Sequence, residues 1–201
     1  MEPKPETLIP KHGGYENTVT WQIADLMYDI TVLFCDKYVN RLDRTHDQMV
    51  QSARSGCQNL QEGSIDSAVS KKIELKLTGI ARGSLKELQR DYRKHLQHRN
   101  LPEWPPGHPA LLRFKVNRCQ NLCEFRRWVA EETRNFTPGP GESVSPSDFP
   151  RVCAANGALS LLNLCIYHIK RQMDAQARAF ETEGGFTERL YRVRQQNRKR
   201  P

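Results

Sequence analysis

"QMVQSARSGCQNLQEGS", Gln48 to Ser64, is the stretch on which the fold turns. Met49, Ala53, Gly56/Cys57 and Leu60 recur at steps of three and four, the spacing of one helical face. Between them lie small residues and amides, Ser52, Ser55, Gln58 and Asn59, with Arg54 and Glu62 close to the seam. A glycine costs an exposed helix about 1 kcal/mol relative to alanine, so Gly56 beside Ser52, Ala53 and Ser55 needs a reason. Close packing supplies one. Small side chains here, with Ala81, Gly83 and Ser84 further along, would let two helix backbones approach each other. Asn59 and Glu62 would then reach Ser84 or the amides near the turn between the two helices. A carboxylate drawn into such a seam needs partners, because an unpaired buried charge is strongly destabilising. Arg54, Asn59, Glu62, Ser84 and Glu87 are therefore read as a polar motif that specifies the fold and does no chemistry.

Working outward, the preceding helix spans about Thr20 to Leu42, with Ile23, Met27, Ile30, Phe34 and Tyr38 on one row and Leu26, Leu33 and Val39 on a second. Asp43 or Thr45 caps the helix that holds the opening stretch, and Gly63 is its expected stop. The short "SIDSAVS" connection makes the second and third helices antiparallel neighbours. The third runs from about Ser70 to Arg99 on a stripe of Ile73, Leu77, Ala81, Ser84/Leu85, Leu88, Tyr92 and Leu96. "LPEWPPGHP", four prolines in nine residues, ends it. One helical piece follows over about Ala110–Arg134, with Leu112, Val116, Cys119, Leu122 and Cys123 on one side. "TPGPGESVSPS" then reads as an unpacked linker. The last helix runs from about Phe149 to Glu183. Val152, Ala155, Leu159, Leu162, Ile166, Ile169, Met173, Gln176 and Phe180 keep a 3.5-residue period there, the mark of a left-handed packing seam. The expected fold is all-α: an antiparallel up-and-down four-helix bundle over residues 20–183, with a helical insertion at 100–150 before the last long helix. It is flanked by a mobile arm at 1–19 and a basic suffix at 184–201.

The 201 residues carry a net charge of +8, which favours an anionic partner. Mean hydropathy is −0.72, low for a globular chain. No apolar run opens the sequence, and no window approaches the length needed to span a bilayer. The six cysteines lack CxxC or framework spacing and read as reduced, buried thiols of a cytoplasmic protein. No membrane contact is expected, since the basic residues do not oppose an exposed apolar face.

The opening stretch, followed by "SKKIELKLTGIARGSLKELQRDY", resembles the four-helix-bundle proteins encoded by intervening sequences of 23S ribosomal RNA genes. The elements that carry the resemblance are Arg54, the Gln58-Asn59-Leu60-x-Glu62-Gly63 run, and Ala81-x-Gly83-Ser84-Leu85-x-Glu87-Leu88. The accessory variability proteins of diversity-generating retroelements look similar, and "EGGFTERLYRVR" looks like the suffix of one branch of this family. Residues 100–150 depart from its compact members. The resemblance implies a homo-oligomer, in these families a ring-like pentamer. From the retroelement branch it implies binding of nucleic acid and of a reverse transcriptase.

Arg82, Lys86, Arg90 and Arg93 share one stripe of the third helix, opposite Leu77, Ala81, Leu85 and Leu88, with Lys72 and Lys76 near its edge. Such a row is either a solvated face or a track for phosphates of RNA or DNA, with little sequence preference. Arg189, Arg192 and Arg194, interleaved with Phe186 and Tyr191, form a second basic patch able to contact phosphates and stack on unpaired bases. "RDYRKH" has the Arg-x4-His spacing of HEPN-type helical ribonucleases, in which histidine serves as general acid or base and arginine stabilises phosphorane charge. That spacing alone is weak, and no enzyme activity is expected. Cys119/Cys123 and His95/His98 have two-ligand spacing, short of the three or four that zinc needs, so neither a metal nor a cofactor is expected. A nucleic-acid-binding bundle is the first reading, with a reverse transcriptase or other protein as partner. A protein-binding scaffold ring is the alternative.

Overall fold

The computed structural model describes residues 7–9, 12–137 and 144–198. Among them the chain is all-α: a 3-10 turn at Tyr15–Asn17 and seven helices, α1 Val19–Tyr38, α2 Arg44–Asp66, α3 Lys71–Gln97, α4 Pro109–Asn117, α5 Leu122–Arg134, α6 Phe149–Glu183 and α7 Phe186–Arg198, with no strand. α1 and α3 each pack on both α2 and α6, so the four long helices enclose one core. That core joins Met27, Ile30 and Phe34 of α1, Met49 and Leu60 of α2, Leu85, Leu88 and Tyr92 of α3, and Val152, Leu162 and Ile169 of α6.

Side-chain caps set several of the boundaries. Asp43 Oδ1 accepts from Thr45 N at 2.9 Å and Ser70 Oγ from Ile73 N at 3.2 Å, opening α2 and α3. α1 ends at Tyr38, short of the expected Leu42. Val39 turns extended, and the Asn40 carbonyl oxygen Oδ1 accepts from Leu42 N. α2 runs three residues past Gly63, which is no stop but a contact: a Cβ there would lie 3.3 Å from Leu77 Cβ and 3.4 Å from the Glu74 carbonyl. Close approach of α2 and α3 is real at Gly56 as well, where a Cβ would sit 2.6 Å from Leu85 Cδ2. Gly83, expected to share in it, faces outward with nothing within 4 Å. On α3 the stripe from Ala81 to Leu96 is buried, but Ile73 is exposed, because it lies about 80° round the helix from Ala81 while Glu74 packs against Gly63 and Thr78 is buried.

The largest departure lies in residues 100–150. The expected single helix is two, broken at Arg118, whose backbone is left-handed with φ 44°. Asn121 restarts the chain as a cap, its Oδ1 accepting from Glu124 N, while the Glu124 carboxylate accepts from Gln120 N at 2.8 Å. The apolar face also differs from the expected one. Val116 is 80% exposed, and Leu112 and Cys123 are exposed too; Ala110, Leu111 and Phe114 are the buried residues of α4. The insertion packs firmly on the bundle. Phe125 and Trp128 press on Gly157 of α6, and Phe114 meets Phe125 edge-on and Trp128 at a tilt, at centroid distances of 5.9 and 4.5 Å. Asn156, buried on α6, accepts from Trp104 N at 2.7 Å and donates to the Pro102 carbonyl at 3.0 Å, which ties the proline-rich segment down. The linker is not wholly unpacked, since Val144 is buried; its residues 138–143 lie outside the described residues.

α6 has the expected length, yet residues 152–162 are buried almost all round, because α5 covers the face that a simple seam would leave to solvent. At the other end Phe180 is exposed. By length and composition Phe149–Thr182 is apolar enough to cross a membrane, contrary to the sequence reading, but 67% of its most apolar window is buried inside the fold. It is the central core helix. Part of the expected mobile arm docks: the Tyr15 ring meets Trp21 edge-on at 5.0 Å, and Gly13 N donates to the Ser64 carbonyl. Residues 1–6, 10 and 11 lie outside the described residues.

Candidate nucleic-acid interface

At 100° per residue, Lys72, Lys76, Lys86 and Arg90 fall on the side of α3 opposite Ala81, Leu85 and Leu88, and all four are exposed. Among the described residues none of the four has a carboxylate within ion-pair distance. The glycines Gly79 and Gly83 lie between them. A Cβ at Gly79 would meet only Met173 Cε, at 3.6 Å, and one at Gly83 nothing, so the row has low relief.

The other two members of the expected stripe are withdrawn from it. Arg93 donates Nε to Glu103 Oε1 at 3.0 Å and Nη1 to Gln89 Oε1 at 3.3 Å, so its charge is already answered. Arg82 is half-buried, with its Nε enclosed and without a hydrogen-bond partner. At its C-terminal end the row changes character. Arg90 stands on the rim of a cleft of about 650 Å³ between α2 and α3 that it shares with Arg44, Asp47, Glu87 and Asp91. Burial, with Glu87 adding to it, raises the Asp91 carboxyl above the usual carboxylate range, against the pull of Arg90. Mixed charge makes this end a poorer phosphate site than Lys72, Lys76 and Lys86.

The suffix patch is also divided. Arg189 is only 9% exposed and donates Nη1 to the Ala68 carbonyl at 3.3 Å, latching α7 onto the α2–α3 turn. It is a structural arginine, not a surface contact. Arg192, Arg194 and Tyr191 remain exposed on α7. The backbone amides of Glu188 and Gly185 hold the Glu188 carboxyl below its usual range, and Arg192 contributes.

The polar motif forms only in part. Asn59 Nδ2 donates to the Ser55 carbonyl at 2.7 Å and to Ser55 Oγ at 3.1 Å, and Ser55 Oγ meets Ser84 Oγ at 3.2 Å across the seam. The seam therefore carries a short hydroxyl–amide chain. Arg54, Glu62 and Glu87 are exposed, and the buried carboxylate expected at Glu62 does not exist. Two positions past Leu60, Glu62 is rotated about 200° from the seam.

The Arg90/His95 pair is not brought together. Five positions apart on a helix, Arg90 faces the cleft and His95 the core, 5% exposed and edge-on to the Phe34 ring at 4.8 Å. Burial pushes the His95 imidazole down to about 4, and Arg99, Arg151 and His98 add to the effect. The cysteine thiols are equally withdrawn. Burial raises Cys35, Cys57 and Cys165 to about 12 and Cys119 to about 11, so they stay protonated. Cys123 is the exception to the expected burial. Among the described residues no group of three or more His, Cys, Asp or Glu side chains is placed to hold a metal ion.

Sequence reasoning missed a further basic surface. On α5, Arg126, Arg127 and Arg134 are exposed, and among the described residues none of the three is ion-paired. The acids of α5 are largely spent. Glu124 closes the capping box, and Glu132 receives Arg113 Nε at 2.8 Å and Nη2 at 2.6 Å. The signal was present in "FRRWVAEETR" but is visible only once Trp128 and Phe125 are known to face α6. The chain matches no protein-family model, and no curated protein or solved structure is found to be similar to it.

Proposed function

We propose that this chain is a cytoplasmic, non-enzymatic protein that binds RNA or DNA through basic surfaces with weak sequence preference. In this reading the four long helices form an antiparallel up-and-down bundle. Its support is the register of α2 against α3: Gly56 meets Leu85 and Gly63 meets Leu77, so seven residues forward along α2 correspond to eight residues back along α3. The kinship with the 23S intervening-sequence and retroelement accessory proteins, and a reverse transcriptase as partner, belong to the same proposal.

The observation that carries it is the row of Lys72, Lys76 and Lys86, exposed on one face of α3 and, among the described residues, without ion pairs. An ordinary solvated face would mix signs, as the Arg93–Glu103 pair does nearby. Lysines held only by their own helix cost little to bring to a phosphate, and they read charge without reading bases. A retardation assay at low salt with single- and double-stranded RNA and DNA tests this. Retardation is expected, and Lys72→Ala, Lys76→Ala and Lys86→Ala together should reduce it. No shift with any of the four ligands would sink the proposal. Any cleavage lost in His95→Ala would instead revive the ribonuclease alternative.

A scaffold that binds protein, or further copies of itself in a ring, is the second reading. Leu164 and Tyr167 favour it, being exposed on the outer face of α6 just beyond the cover of α5. Sedimentation of Tyr167→Arg against the parent separates the two: loss of an assembly with nucleic-acid binding intact assigns this patch to self-association.

A further inference from the structure

We propose that the groove between α1 and α5 seats an unpaired base of a single strand, with the flanking phosphates on Lys37, Arg126 and Arg134. This rests on the nucleic-acid reading above, but places a distinct contact on a different face from the α3 row.

The groove has a volume of about 690 Å³. That lies inside the range of about 300–1,000 Å³ usual for ligand pockets. Its wall and floor are apolar: Leu33 and the Tyr38 ring come from α1, Val129 from α5 and Pro150 from the start of α6. Its rim is cationic on both sides. Lys37 stands on the α1 wall and Arg126 and Arg134 on the α5 wall, and among the described residues none of the three is ion-paired. Tyr38 has further positive charge close by. Lys37 Nζ lies 5.2 Å and Arg151 Cζ 5.3 Å from its ring centroid. An apolar slot with an aromatic wall and a positive rim is what a single strand requires, since bases stack on flat apolar surfaces and the backbone follows the charge.

Three features select this occupant. First, Arg126 and Arg134 are eight residues apart, about 12 Å along the helix. They can serve separate phosphates of one strand, whereas a single carboxylate or phosphate head would use only one of them. Secondly, Ala130 lies midway between them, exposed, and leaves the way into the groove open. Thirdly, two of the three α5 carboxylates that would repel a polyanion are engaged, Glu132 with Arg113 and Glu124 in its capping box, and the third, exposed Glu131, lies about 100° round the helix from Ala130. A duplex keeps its bases paired and stacked, so it could reach the rim but not the floor.

The test is fluorescence anisotropy of the full chain with a labelled oligouridylate and with an RNA duplex of equal length, at low salt. The parent should bind the single strand about tenfold more tightly than the duplex. Ala130→Phe blocks the groove without touching a charge, at an exposed helical position. It should lose that preference, with duplex binding unchanged. Ala130→Ser should behave as the parent. Arg126→Ala with Arg134→Ala should weaken the single strand and flatten its dependence on salt. Helicity by circular dichroism confirms that each variant is folded. The inference is overturned if folded Ala130→Phe binds oligouridylate like the parent, or if the parent has no preference for single strands. Either result leaves binding through α3 standing. Absence of all nucleic-acid binding removes both. The inference also fails if Ala130→Phe blocks an acidic amphipathic peptide or a fatty acid while oligouridylate binding is untouched.

Discussion

Two helix–helix contacts in this molecule depend on glycine, and they differ in what stands opposite. Between α2 and α3, Gly56 faces Leu85 and Gly63 faces Leu77, and the seam is one of small and aliphatic side chains. Between α5 and α6, Gly157 faces two rings: a Cβ there would lie 2.7 Å from Trp128 and 2.9 Å from Phe125. The first contact joins two helices that are neighbours in sequence. The second fastens the insertion, and through it buries residues 152–162 of α6 almost all round, leaving Leu164 and Tyr167 beyond it exposed. The insertion is therefore part of the core. It also carries basic residues outward, because Phe125 and Trp128 point at Gly157 of α6 and leave Arg126 and Arg127 exposed.

Several measurements can break or sharpen this contrast. The largest effect is expected for Trp128→Ala, which removes a fully buried ring from the α5–α6 contact and should cost about 3–5 kcal/mol in denaturant unfolding. A cost near zero would mean that the insertion is an appendage. Next come the glycines themselves. Gly157→Ala and Gly56→Ala should each destabilise by about 1–3 kcal/mol, with Gly157 the worse, because two rings have less freedom to move aside than one leucine. The reverse order would show that the α2–α3 seam is the tighter of the two.

A third test uses acid at the bundle end where α1, α3 and α6 meet. Buried His95 has its imidazole lowered from an ordinary 6.5 to about 4. The unfolded chain therefore binds this proton at a higher pH than the folded one. The contribution of neutral His95 to stability is complete above about 6.5 and is lost as pH falls toward about 4. Over that window the parent should lose roughly 1–3 kcal/mol more than His95→Gln. Identical acid profiles would place His95 in contact with water. The smallest effect, of opposite sign, is expected at Gly83, which meets nothing. Gly83→Ala should stabilise α3 by up to about 1 kcal/mol.

Much of the frame was legible in the sequence, and for identifiable reasons. The period of α6 from Val152 to Met173, the cap at Asp43, the start of α3 near Ser70 and the small-residue seam at Gly56 are local signals that packing later used as written. What could not be read depended on partners distant in sequence. Nothing local says that Gly157, off the seam, would be covered by Phe125 and Trp128. Nor does it say that Arg118 would take a left-handed turn and swing Leu112 and Val116 outward. The candidate site divides along the same line. Periodicity placed Lys72, Lys76, Lys86 and Arg90 outside. It could not foresee that Arg93 finds Glu103, that Arg189 finds the Ala68 carbonyl, or that α5 turns its arginines out beside α1.

The most direct test of the functional account is the salt dependence of RNA binding by the parent and by the combined Lys72→Ala, Lys76→Ala and Lys86→Ala variant. The account predicts a steep fall of log affinity with log salt in the parent, and a slope shallower by about 2 in the variant, as three phosphate contacts are lost. Equal slopes, or a parent whose affinity ignores salt, would contradict it.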